Sequence, residues 1–466
     1  MSSADLDADL VIVGAGIAGL AIAHDAARAG QRVMVLEAAD RVGGLVRRAE
    51  VCGIPFDIGA ESFATRTSGV ADLIADAGLP LTLVAPAPGG AHLVTTGETG
   101  SFPAPLPRRT VLGIPADPLA ADVVRILGPD GSARAAAERM LPPLRAADEP
   151  SLAALITERC GPVLLARLVD PLCRSIYSQP ADAVRLSRLH PVLWREAVER
   201  GSLLAGAVAC ATDDRAGAAV GGIVGGMWRL AAELASAAAA RGARIRTGAP
   251  ALAVNPHGDR IAVDTADGPV RAARVVVATG TSAARALLDQ TGRRGSDSET
   301  DADAAGALAV RVVAALVAGA AFDDDPVGSG VIVAPGVPSA AKALTHANAK
   351  WPWLADTLPA GRHLFRLSAR DARAPGLETP ADLAHEIALL TGIPLDAADV
   401  LAVTSAVYAD AVAGAPVDDR RRRELAGSGI HLAGAAVAGT GLASVVPHAR
   451  ALAASFSSTS HSRSIA

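Results

Sequence analysis

The chain has 466 residues, of which half are hydrophobic, 20% are charged and 3% are aromatic, and its formal net charge is −5. At ~150 residues per domain, this length predicts two or three domains with a large apolar core. The low charge excludes long disorder, and the absence of a basic excess predicts that no nucleic acid is bound.

The amino terminus lacks the features of a secretory signal. Residues 1–9 contain three aspartates and no Lys or Arg, whereas a signal peptide begins with basic residues before its apolar run. The four cysteines (Cys52, Cys160, Cys173 and Cys210) lie far apart, with no Cys-x-x-Cys pair and no His spacing typical of zinc. We therefore predict no metal site and reduced thiols in a cytoplasmic protein.

The next residues predict a complete β-α-β unit. Residues 9–13 form a short β-branched run bounded by glycine, which is typical of a buried parallel strand. Gly14-Ala15-Gly16-Ile17-Ala18-Gly19 follows, and an alanine-rich amphipathic stretch then runs to Arg28 and ends at Gly30. Residues 31–36 predict a second strand, which closes on Glu37.

This unit carries the pattern of a dinucleotide site. Gly-x-Gly-x-x-Gly alone is a weak signal, but here it lies between a strand and a helix, and Glu37 follows 18 residues after Gly19. The glycines let the turn approach a pyrophosphate at the helix amino terminus, while Glu37 accepts hydrogen bonds from the adenosine ribose. Gly43 and Gly44 lack Cβ atoms, so a second backbone segment can also approach the phosphates.

The middle of the chain predicts a helical region followed by a return to strands. From about residue 110 to 212 strand-like alternation nearly vanishes, and helical patterns occupy residues 151–159, 163–168 and 187–208. A helix is predicted at 228–241, after a run of paired glycines. Strands at 244–246, 261–264 and 270–271, with turns at 255–259 and 267–268, predict a β-meander, and 274–278 predicts a further buried strand.

The last third predicts a sheet again. Residues 292–303 are polar and aperiodic, which indicates a surface loop or a domain crossing. Residues 304–322 include Arg311 and two glycines, so they indicate a buried strand and not a ~20-residue membrane span. We expect strands at 307–317, 330–334, 363–368 and 430–433, a helix at 380–390, solvated charge runs at 323–325 and 420–423, and a frayed tail after Phe456.

Several segments resemble, in order, the superfamily of flavin amine oxidases and protoporphyrinogen oxidases. They are Glu37-Ala38, Arg41-Val42-Gly43-Gly44, Phe56-Asp57-Ile58-Gly59-Ala60-Glu61-Ser62, Ala278-Thr279-Gly280 and Gly434-Ala435-Ala436 with Gly439-Thr440-Gly441-Leu442. In that superfamily these segments wrap FAD. The last of them begins a closing helix whose positive end faces the flavin and favours its reduced anionic ring.

Four further stretches are similar to the bacterial oxygen-dependent porphyrinogen oxidases, and to coproporphyrinogen III oxidases in particular. They are the run from Asp57 to Phe63, Arg167-Leu168-Val169-Asp170-Pro171-Leu172 with Ile176-Tyr177, the run from Gly328 to Val333, and Lys342-Ala343 with Lys350-Trp351-Pro352-Trp353-Leu354. This resemblance implies an α/β fold with a Rossmann-like FAD-binding domain, an α+β, sheet-based substrate domain and a helical insertion near residues 110–210. It assigns residues 1–90, 215–291 and 425–458 to the FAD-binding domain, 91–214 and 292–424 to the substrate domain, and 459–466 to a flexible tail.

The resemblance also assigns contacts to a non-covalently bound FAD. They are Gly14, Ala15, Gly16, Ile17, Ala18, Gly19, Glu37, Ala38, Arg41, Gly43, Gly44, Gly59, Ala60, Glu61, Ser62, Ala251, Ala278, Gly434, Thr440, Gly441 and Leu442. Ala251 falls where a backbone amide meets the adenine, although an ordinary strand residue is the alternative. Cys52 is the cysteine nearest these segments, and we expect it in the core, away from any covalent bond to flavin.

No catalytic residue is singled out by the sequence. Serine-hydrolase, P-loop and metal-ligand patterns are absent. His448 is expected to be an interior or rim residue, and Trp351 and Trp353 are expected to pack in the core.

The function implied by the resemblance is the oxidation of coproporphyrinogen III to coproporphyrin III in heme biosynthesis. Oxygen is the implied acceptor, hydrogen peroxide the by-product, and later heme-pathway enzymes are implied partners. Cations should hold the propionates of the substrate, and Arg66, Arg174, Lys342 and Lys350 are the candidates.

The chain departs from the family pattern at several positions. These are Leu45, Ala369-Arg370-Asp371-Ala372, Ser405-Ala406, Tyr408-Ala409-Asp410-Ala411 and Gly441-Leu442-Ala443. Three alternatives therefore stay open: a protoporphyrinogen oxidase, an amine oxidase, and a diverged flavoprotein that binds FAD or porphyrin without turnover. An amine oxidase usually places two aromatic rings before the flavin, and residues 400–445 contain only Tyr408.

Overall fold

The structure is a computed structural model. It describes residues 7–97, 100–146, 149–177, 179–211, 219–258, 260–289, 309–370, 373–411 and 417–462, with side chains except at 176–177 and 457–462. The polar segment predicted as a loop at 292–303 lies outside the described residues.

The strands and helices are numbered here in chain order. The strands are β1 (Ala8–Val13), β2 (Val33–Leu36), β3 (Arg48–Val51), β4 (Ile54–Asp57), β5 (Phe63–Ala64), β6 (Leu83–Val84), β7 (His92–Gly97), β8 (Gly100–Pro105), β9 (Thr110–Val111), β10 (Ile114–Pro115), β11 (Val220–Ile223), β12 (Arg244–Arg246), β13 (Ala253–His257), β14 (Arg260–Asp264), β15 (Val270–Val277), β16 (Val310–Ala318), β17 (Gly330–Val333), β18 (Ala343–His346), β19 (Arg362–Ala369), β20 (Val400–Tyr408) and β21 (Ile430–Leu432). The α-helices are α1 (Ile17–Arg28), α2 (Gly69–Ala77), α3 (Ala121–Ala136), α4 (Leu152–Cys160), α5 (Pro162–Leu164), α6 (Asp170–Leu172), α7 (Leu186–Leu189), α8 (Pro191–Arg200), α9 (Leu203–Cys210), α10 (Trp228–Ala240), α11 (Thr281–Asp289), α12 (Ala347–Lys350), α13 (Pro352–Ala355), α14 (Pro380–Thr391), α15 (Asp419–Gly427), α16 (Ala435–Ala438) and α17 (Leu442–Ser462). Leu165–Val169 and Cys173–Tyr177 are π-helical turns, and Ala137–Met140, Ala320–Phe322 and Ala397–Asp399 are 3₁₀ turns.

The chain divides into two compact units. The first falls within Met1–Val84, Val220–Val310 and Ala406–Ala466, and the second within Ala85–Ala219 and Arg311–Ser405. The sequence predicts the last return to the first unit at residue 425, whereas the chain makes it at Ala406. Tyr408 and Asp410 therefore belong to the first unit.

The first unit is built on a mixed sheet in the order β12-β2-β1-β15-β14-β13, with β21 beside β15. Strand β1 pairs in parallel with β2 and β15, which confirms the predicted β-α-β unit because parallel neighbours need a crossover such as α1. Almost all of α1 is buried, and the helix packs against α10 and α17. Each fully buried Val, Leu or Ile contributes about 1.5–3 kcal/mol, so burial in this layer stabilises the unit.

The second unit is built on a sheet in the order β20-β16-β19-β18-β17-β7-β8. Strand β19 pairs antiparallel with β16 and β18, β18 with β17, and β7 with β8, whereas β17 and β7 are parallel. Buried residues of this sheet and of helices α3 to α9 form one apolar core, represented by Val313, Phe365, Leu155, Leu168 and Leu193. The predicted helical region at 110–210 thus packs on a sheet of its own unit.

The predicted meander is correct in part. Strands β13, β14 and β15 are consecutive antiparallel neighbours, but β12 pairs in parallel with β2 and is no part of the meander. Residues 255–257, predicted as a turn, lie in β13, and the two strands predicted at 270–271 and 274–278 are the single strand β15. Cross-strand pairing here outweighs the local turn preference of Asn255 and Pro256.

Other predictions also need correction. The helix predicted at 187–208 is three helices, α7 to α9, because Pro191 and Gly201 interrupt it. The tail predicted to fray after Phe456 is helical as far as Ser462. Cys52 is exposed and not in the core: it lies with a left-handed φ of 49° in the hairpin between β3 and β4.

No described helix combines the length and apolar character that a membrane crossing requires. Within the same described ranges, no group of three or more His, Cys, Asp or Glu side chains is arranged to hold a metal ion.

Candidate dinucleotide site

The three glycines of the first turn have different roles. Gly14 has a φ of 104°, and a Cβ there would lie 2.9 Å from the oxygen of Ala278, while a Cβ on Gly19 would lie 2.0 Å from the oxygen of Gly14. Packing within the protein therefore requires these two glycines. A Cβ on Gly16 would meet nothing within 4 Å, so Gly16 borders open space at the amino terminus of α1.

Glu37 closes this turn from the end of β2. Its Oε2 accepts a hydrogen bond from the Ala15 amide at 2.7 Å, and its Oε1 accepts one from the Ala39 amide at 2.9 Å. Each carboxylate oxygen can accept a second hydrogen bond, so Glu37 can also receive a ribose hydroxyl.

These residues border a cavity of about 560 Å³, all of whose lining belongs to the first unit. Sites for small molecules commonly span ~300–1,000 Å³. The predicted contacts that line it are Gly14, Gly16, Ile17, Ala18, Glu37, Ala38, Gly43, Gly44, Ala251, Ala278, Gly434, Thr440 and Leu442. Segments from both ends of the chain, from Gly14 to Leu442, thus meet around one space.

The remaining predicted contacts do not line the cavity. Ala15 and Gly19 are inside the first turn, and Gly441 lies between two lining residues. The segment of Gly59, Ala60, Glu61 and Ser62 is next to a residue that lines the cavity, Leu45. The Ala60 amide donates a hydrogen bond to the Leu45 oxygen at 2.9 Å.

The segment containing Gly59 is fixed by buried Asp57. The Asp57 carboxylate accepts the amides of Met227 and Trp228 at 2.7 and 2.9 Å, so it caps α10. A Cβ on Gly59 would lie 2.0 Å from the oxygen of Leu45 and 3.0 Å from Tyr408 Oη. Tyr408, the aromatic residue noted near the carboxyl end, therefore packs against this segment.

Sequence reasoning missed a further set of lining residues. The cavity is also lined by a residue just before β13, three residues of α11 and a residue just after β20, namely Leu252, Ala283, Ala286, Leu287 and Asp410. Ala283, Ala286 and Leu287 share one face of α11, and their i, i+3, i+4 spacing after Thr279-Gly280 was an available signal. Leu252 is 52% exposed, which is unusual for a large apolar side chain and fits an adenine contact.

The ionisable side chains among these lining residues are two carboxylates, Glu37 and Asp410. Asp410 Oδ1 accepts the Ser282 hydroxyl at 2.6 Å and the Ser282 amide at 3.3 Å at the start of α11. Arg41 lies nearby and donates to the oxygens of Val42 and Gly44 at 3.2 and 3.1 Å. Burial, with Arg47 close by, lowers the pKa of Arg41.

The predicted cations fall in different places. Arg66 belongs to the first unit, where it donates to Ser444 Oγ at 3.1 Å. Lys350 belongs to the second unit, and its Nζ lies 5.2 Å from the centre of the Trp351 ring. In the second unit, Arg174 Nε donates to Asp170 Oδ2 at 2.6 Å. Burial, reinforced by Arg370, lowers the pKa of Lys342 to about 8.

Three residues have the surroundings expected of them. Trp351 is 3% exposed and Trp353 is half-buried, as expected for packing residues. His448 is half-buried on α17 and does not line the cavity, and burial lowers its pKa.

The acidic run at 323–325 is exposed, as predicted, and the carboxylate of Asp323 also contacts a buried histidine pair. His363 Nε2 lies 3.1 Å from Asp323 Oδ1, and His363 Nδ1 lies 3.0 Å from His346 Nε2. Burial is the main reason that the pKa of His346 falls to about 3, and burial lowers the pKa of His363 as well.

The residues around the cavity fit a dinucleotide. Gly16 leaves open space at a helix amino terminus, where the backbone can meet a phosphate, and Glu37 lies within the same wall. Ala251, Leu252 and Leu287 contribute apolar lining, which suits an aromatic base.

Comparison with known proteins agrees with this arrangement. Residues 17–365 match the protein family described as flavin-containing amine oxidoreductase. The coproporphyrinogen III oxidase of Mycobacterium tuberculosis is 29% identical over 400 residues, which cover 84% of each chain. That of Bacillus subtilis is 28% identical over 203 residues, or 42% of each chain.

Solved structures share the fold. A protein of Exiguobacterium sp. 255-15, named provisionally as a protoporphyrinogen oxidase, has a TM-score of 0.79 at 24% identity and covers 96% of this chain and 98% of its own. The cyclohexylamine oxidase of Brevibacterium oxydans has a TM-score of 0.61 at 17% identity and covers 98% of this chain and all of its own.

Proposed function

The chain belongs to the flavin-containing amine oxidoreductase family, and from this premise we propose that it is an FAD-dependent oxidase of coproporphyrinogen III. The product would be coproporphyrin III, with oxygen as acceptor and hydrogen peroxide as by-product, in heme biosynthesis. The observation that carries the proposal is the 29% identity to a coproporphyrinogen III oxidase over 84% of both chains.

The cavity of the first unit supports FAD as the cofactor. The amino terminus of α1 and Gly16 would meet the pyrophosphate, Glu37 would accept hydrogen bonds from the ribose, and Ala251 and Leu252 would contact the adenine. When bound, FAD supplies the redox chemistry, the removal of hydride equivalents from a porphyrinogen and the transfer of electrons to oxygen.

We propose that FAD is held without a covalent bond. Cys52 is exposed on a hairpin, and no cysteine lines the cavity among the described residues. Boiling the purified protein should release all of the yellow chromophore into the supernatant, where chromatography identifies it as FAD. Flavin that remains with the precipitate would contradict non-covalent binding.

Turnover of two porphyrinogens tests the substrate. Coproporphyrinogen III carries four carboxylates and protoporphyrinogen two, so cations in the protein should favour the former, and salt should narrow the difference. Steady-state rates of porphyrin fluorescence across a salt series measure this preference. Faster turnover of coproporphyrinogen at low salt is the expected result.

Two other outcomes would overturn the proposal. Equal or better use of protoporphyrinogen at all salt concentrations would indicate a protoporphyrinogen oxidase. FAD binding without oxidation of either substrate would indicate the diverged flavoprotein, an alternative favoured by Ala406 and Ala411, which replace family residues near the carboxyl end.

The cellular setting is part of the same proposal. All four cysteines are unpaired in the structure, which suits a reducing cytoplasm. Later enzymes of heme synthesis would be the partners that consume the product.

A further inference from the structure

Three cations of the second unit come together from distant parts of the chain. Arg174 lies in the π-helical turn Cys173–Tyr177, Lys342 precedes β18, and Arg370 follows β19. The Lys342 amide donates to the oxygen of Ser368 at 2.7 Å, and Ala343 pairs with Ser368. This register places Lys342 at the end of β19, beside the residues that lead to Arg370.

The third cation reaches this place from the helical layer. Arg370 lies close enough to Arg174 and Asp170 for their charges to act on it: partial burial, and then Arg174, lower the pKa of Arg370, and Asp170 raises it. Arg370 in turn acts on Lys342. The strand ends and the π-helical turn thus share one electrostatic cluster, formed by Arg174, Lys342, Arg370 and Asp170.

The carboxylate of this cluster is already engaged. Asp170 Oδ2 accepts from Arg174 Nε at 2.6 Å, and Asp170 Oδ1 accepts from the Ala181 amide at 2.9 Å. The side chains of Arg174 and Asp170 are 33% and 15% exposed, so the pair is only partly screened by water. Three cations beside one engaged carboxylate repel one another, and a bound anion would reduce that repulsion.

The local backbone also suggests a functional role. Leu165–Val169 and Cys173–Tyr177 are π-helical, a conformation that is rare and occurs frequently at functional sites. Asp170 lies between these turns and Arg174 within the second, so the two π-helical turns fix the ion pair at one edge of the cluster.

We propose that Arg174, Lys342 and Arg370 form a carboxylate site in the second unit that holds a propionate of the tetrapyrrole substrate. Guanidinium groups bind carboxylates through paired hydrogen bonds, and the lysine adds a third donor. This assignment rests on the proposed function, and it selects Lys342 in preference to Lys350, whose ammonium lies over the Trp351 ring.

The chain offers a matched comparison because Lys342 and Lys350 are its two lysines. The probe is coproporphyrin III, the air-stable product, added to the FAD-loaded protein. Acetylation of lysines in a short pulse at pH 8, followed by peptide mass spectrometry, gives the rate at each position. Coproporphyrin III should slow acetylation of Lys342 about tenfold or more and leave Lys350 unchanged.

Affinity provides the second measurement. Lys342→Met should weaken coproporphyrin III binding about tenfold, as expected for loss of one charge-assisted hydrogen bond. Lys342→Met should weaken the binding of protoporphyrin IX less than that of coproporphyrin III. Lys350→Met should leave both affinities unchanged. Lys342→Arg should restore most of the affinity, and an unchanged FAD content shows that each variant is folded.

The outcomes separate the site from the proposed function. Tight coproporphyrin III binding with neither protection of Lys342 nor an effect of Lys342→Met would overturn the site and leave the function standing. Failure of the unmodified protein to bind coproporphyrin III would overturn both.

Discussion

The two candidate sites are built in opposite ways. The cavity of the first unit is shaped by main chain and small side chains, and its charged lining residues are the acids Glu37 and Asp410. The cluster of the second unit is made of long cationic side chains, Arg174, Lys342 and Arg370, that converge from different elements. A backbone-built site recognises a feature common to many ligands, a pyrophosphate, whereas a cluster of side-chain charges can select among substrates.

The largest expected effect tests whether backbone builds the first site. Gly16→Val places a side chain in space that is open in the protein, so the chain should fold while FAD affinity falls about 100-fold or more. The ratio of flavin to protein absorbance after purification measures the loss. Stoichiometric FAD in this variant would show that Gly16 does not face the cofactor.

Gly19→Ala is the contrasting variant. Its Cβ would lie 2.0 Å from the oxygen of Gly14, so it should lower the melting temperature, with a cost of about 1–3 kcal/mol or more from overpacking.

The second expected effect is a loss of stability of the second unit at acid pH. Burial lowers the pKa of His346 to about 3, so the unfolded chain, with a pKa near 6.5, binds the proton first. Stability from the neutral histidine is therefore present above pH 6.5 and is lost as the pH falls toward 3. Between pH 7 and pH 5 the loss should be about 2 kcal/mol.

Hydrogen exchange of β18 and β19 amides at pH 7 and pH 5 measures this loss. His346→Gln should flatten the dependence, because glutamine does not titrate and can still bond His363. His385 is exposed on α14, so His385→Gln should leave the pH dependence of hydrogen exchange unchanged. Equal pH dependence in all three proteins would refute the role of His346.

The smallest effect concerns the charge of the cavity. Asp410→Asn retains an acceptor for Ser282 but removes a negative charge from a cavity that is to receive a pyrophosphate. FAD affinity should rise, by about 1 kcal/mol at low salt and less at high salt. Flavin fluorescence titration of the apoprotein measures it. Ser282→Ala removes the helix contact without a change of charge, and weaker binding to Asp410→Asn would contradict the electrostatic explanation.

The same contrast explains what sequence could predict. The turn from Gly14 to Gly19 and the acid Glu37 are adjacent in one β-α-β unit, so spacing alone indicates their chemistry. Leu252 and Asp410 join the cavity only through tertiary packing, and neither residue type suggests a dinucleotide.

The site in the second unit is harder to predict from the sequence, because its residues meet only through tertiary packing. Arg174 and Lys342 could be named as candidates from the resemblance, but Arg370 joins them only through strand register. The solvation expected for Asp323 is correct, since the residue is exposed, but its contact with a buried histidine on β19 could not be predicted from the local sequence. The core position expected for Cys52 is wrong because the residue lies with Gly53 in the exposed turn between β3 and β4, although free cysteines are usually buried.

One measurement tests most directly the claim that this chain is a flavin oxidase of coproporphyrinogen III. The FAD-loaded protein is mixed with coproporphyrinogen III under nitrogen, and the yellow absorbance is followed before and after air is admitted. We predict that the absorbance bleaches under nitrogen, returns in air, and is accompanied by porphyrin fluorescence. Absorbance that stays unchanged with excess coproporphyrinogen III would contradict the claim.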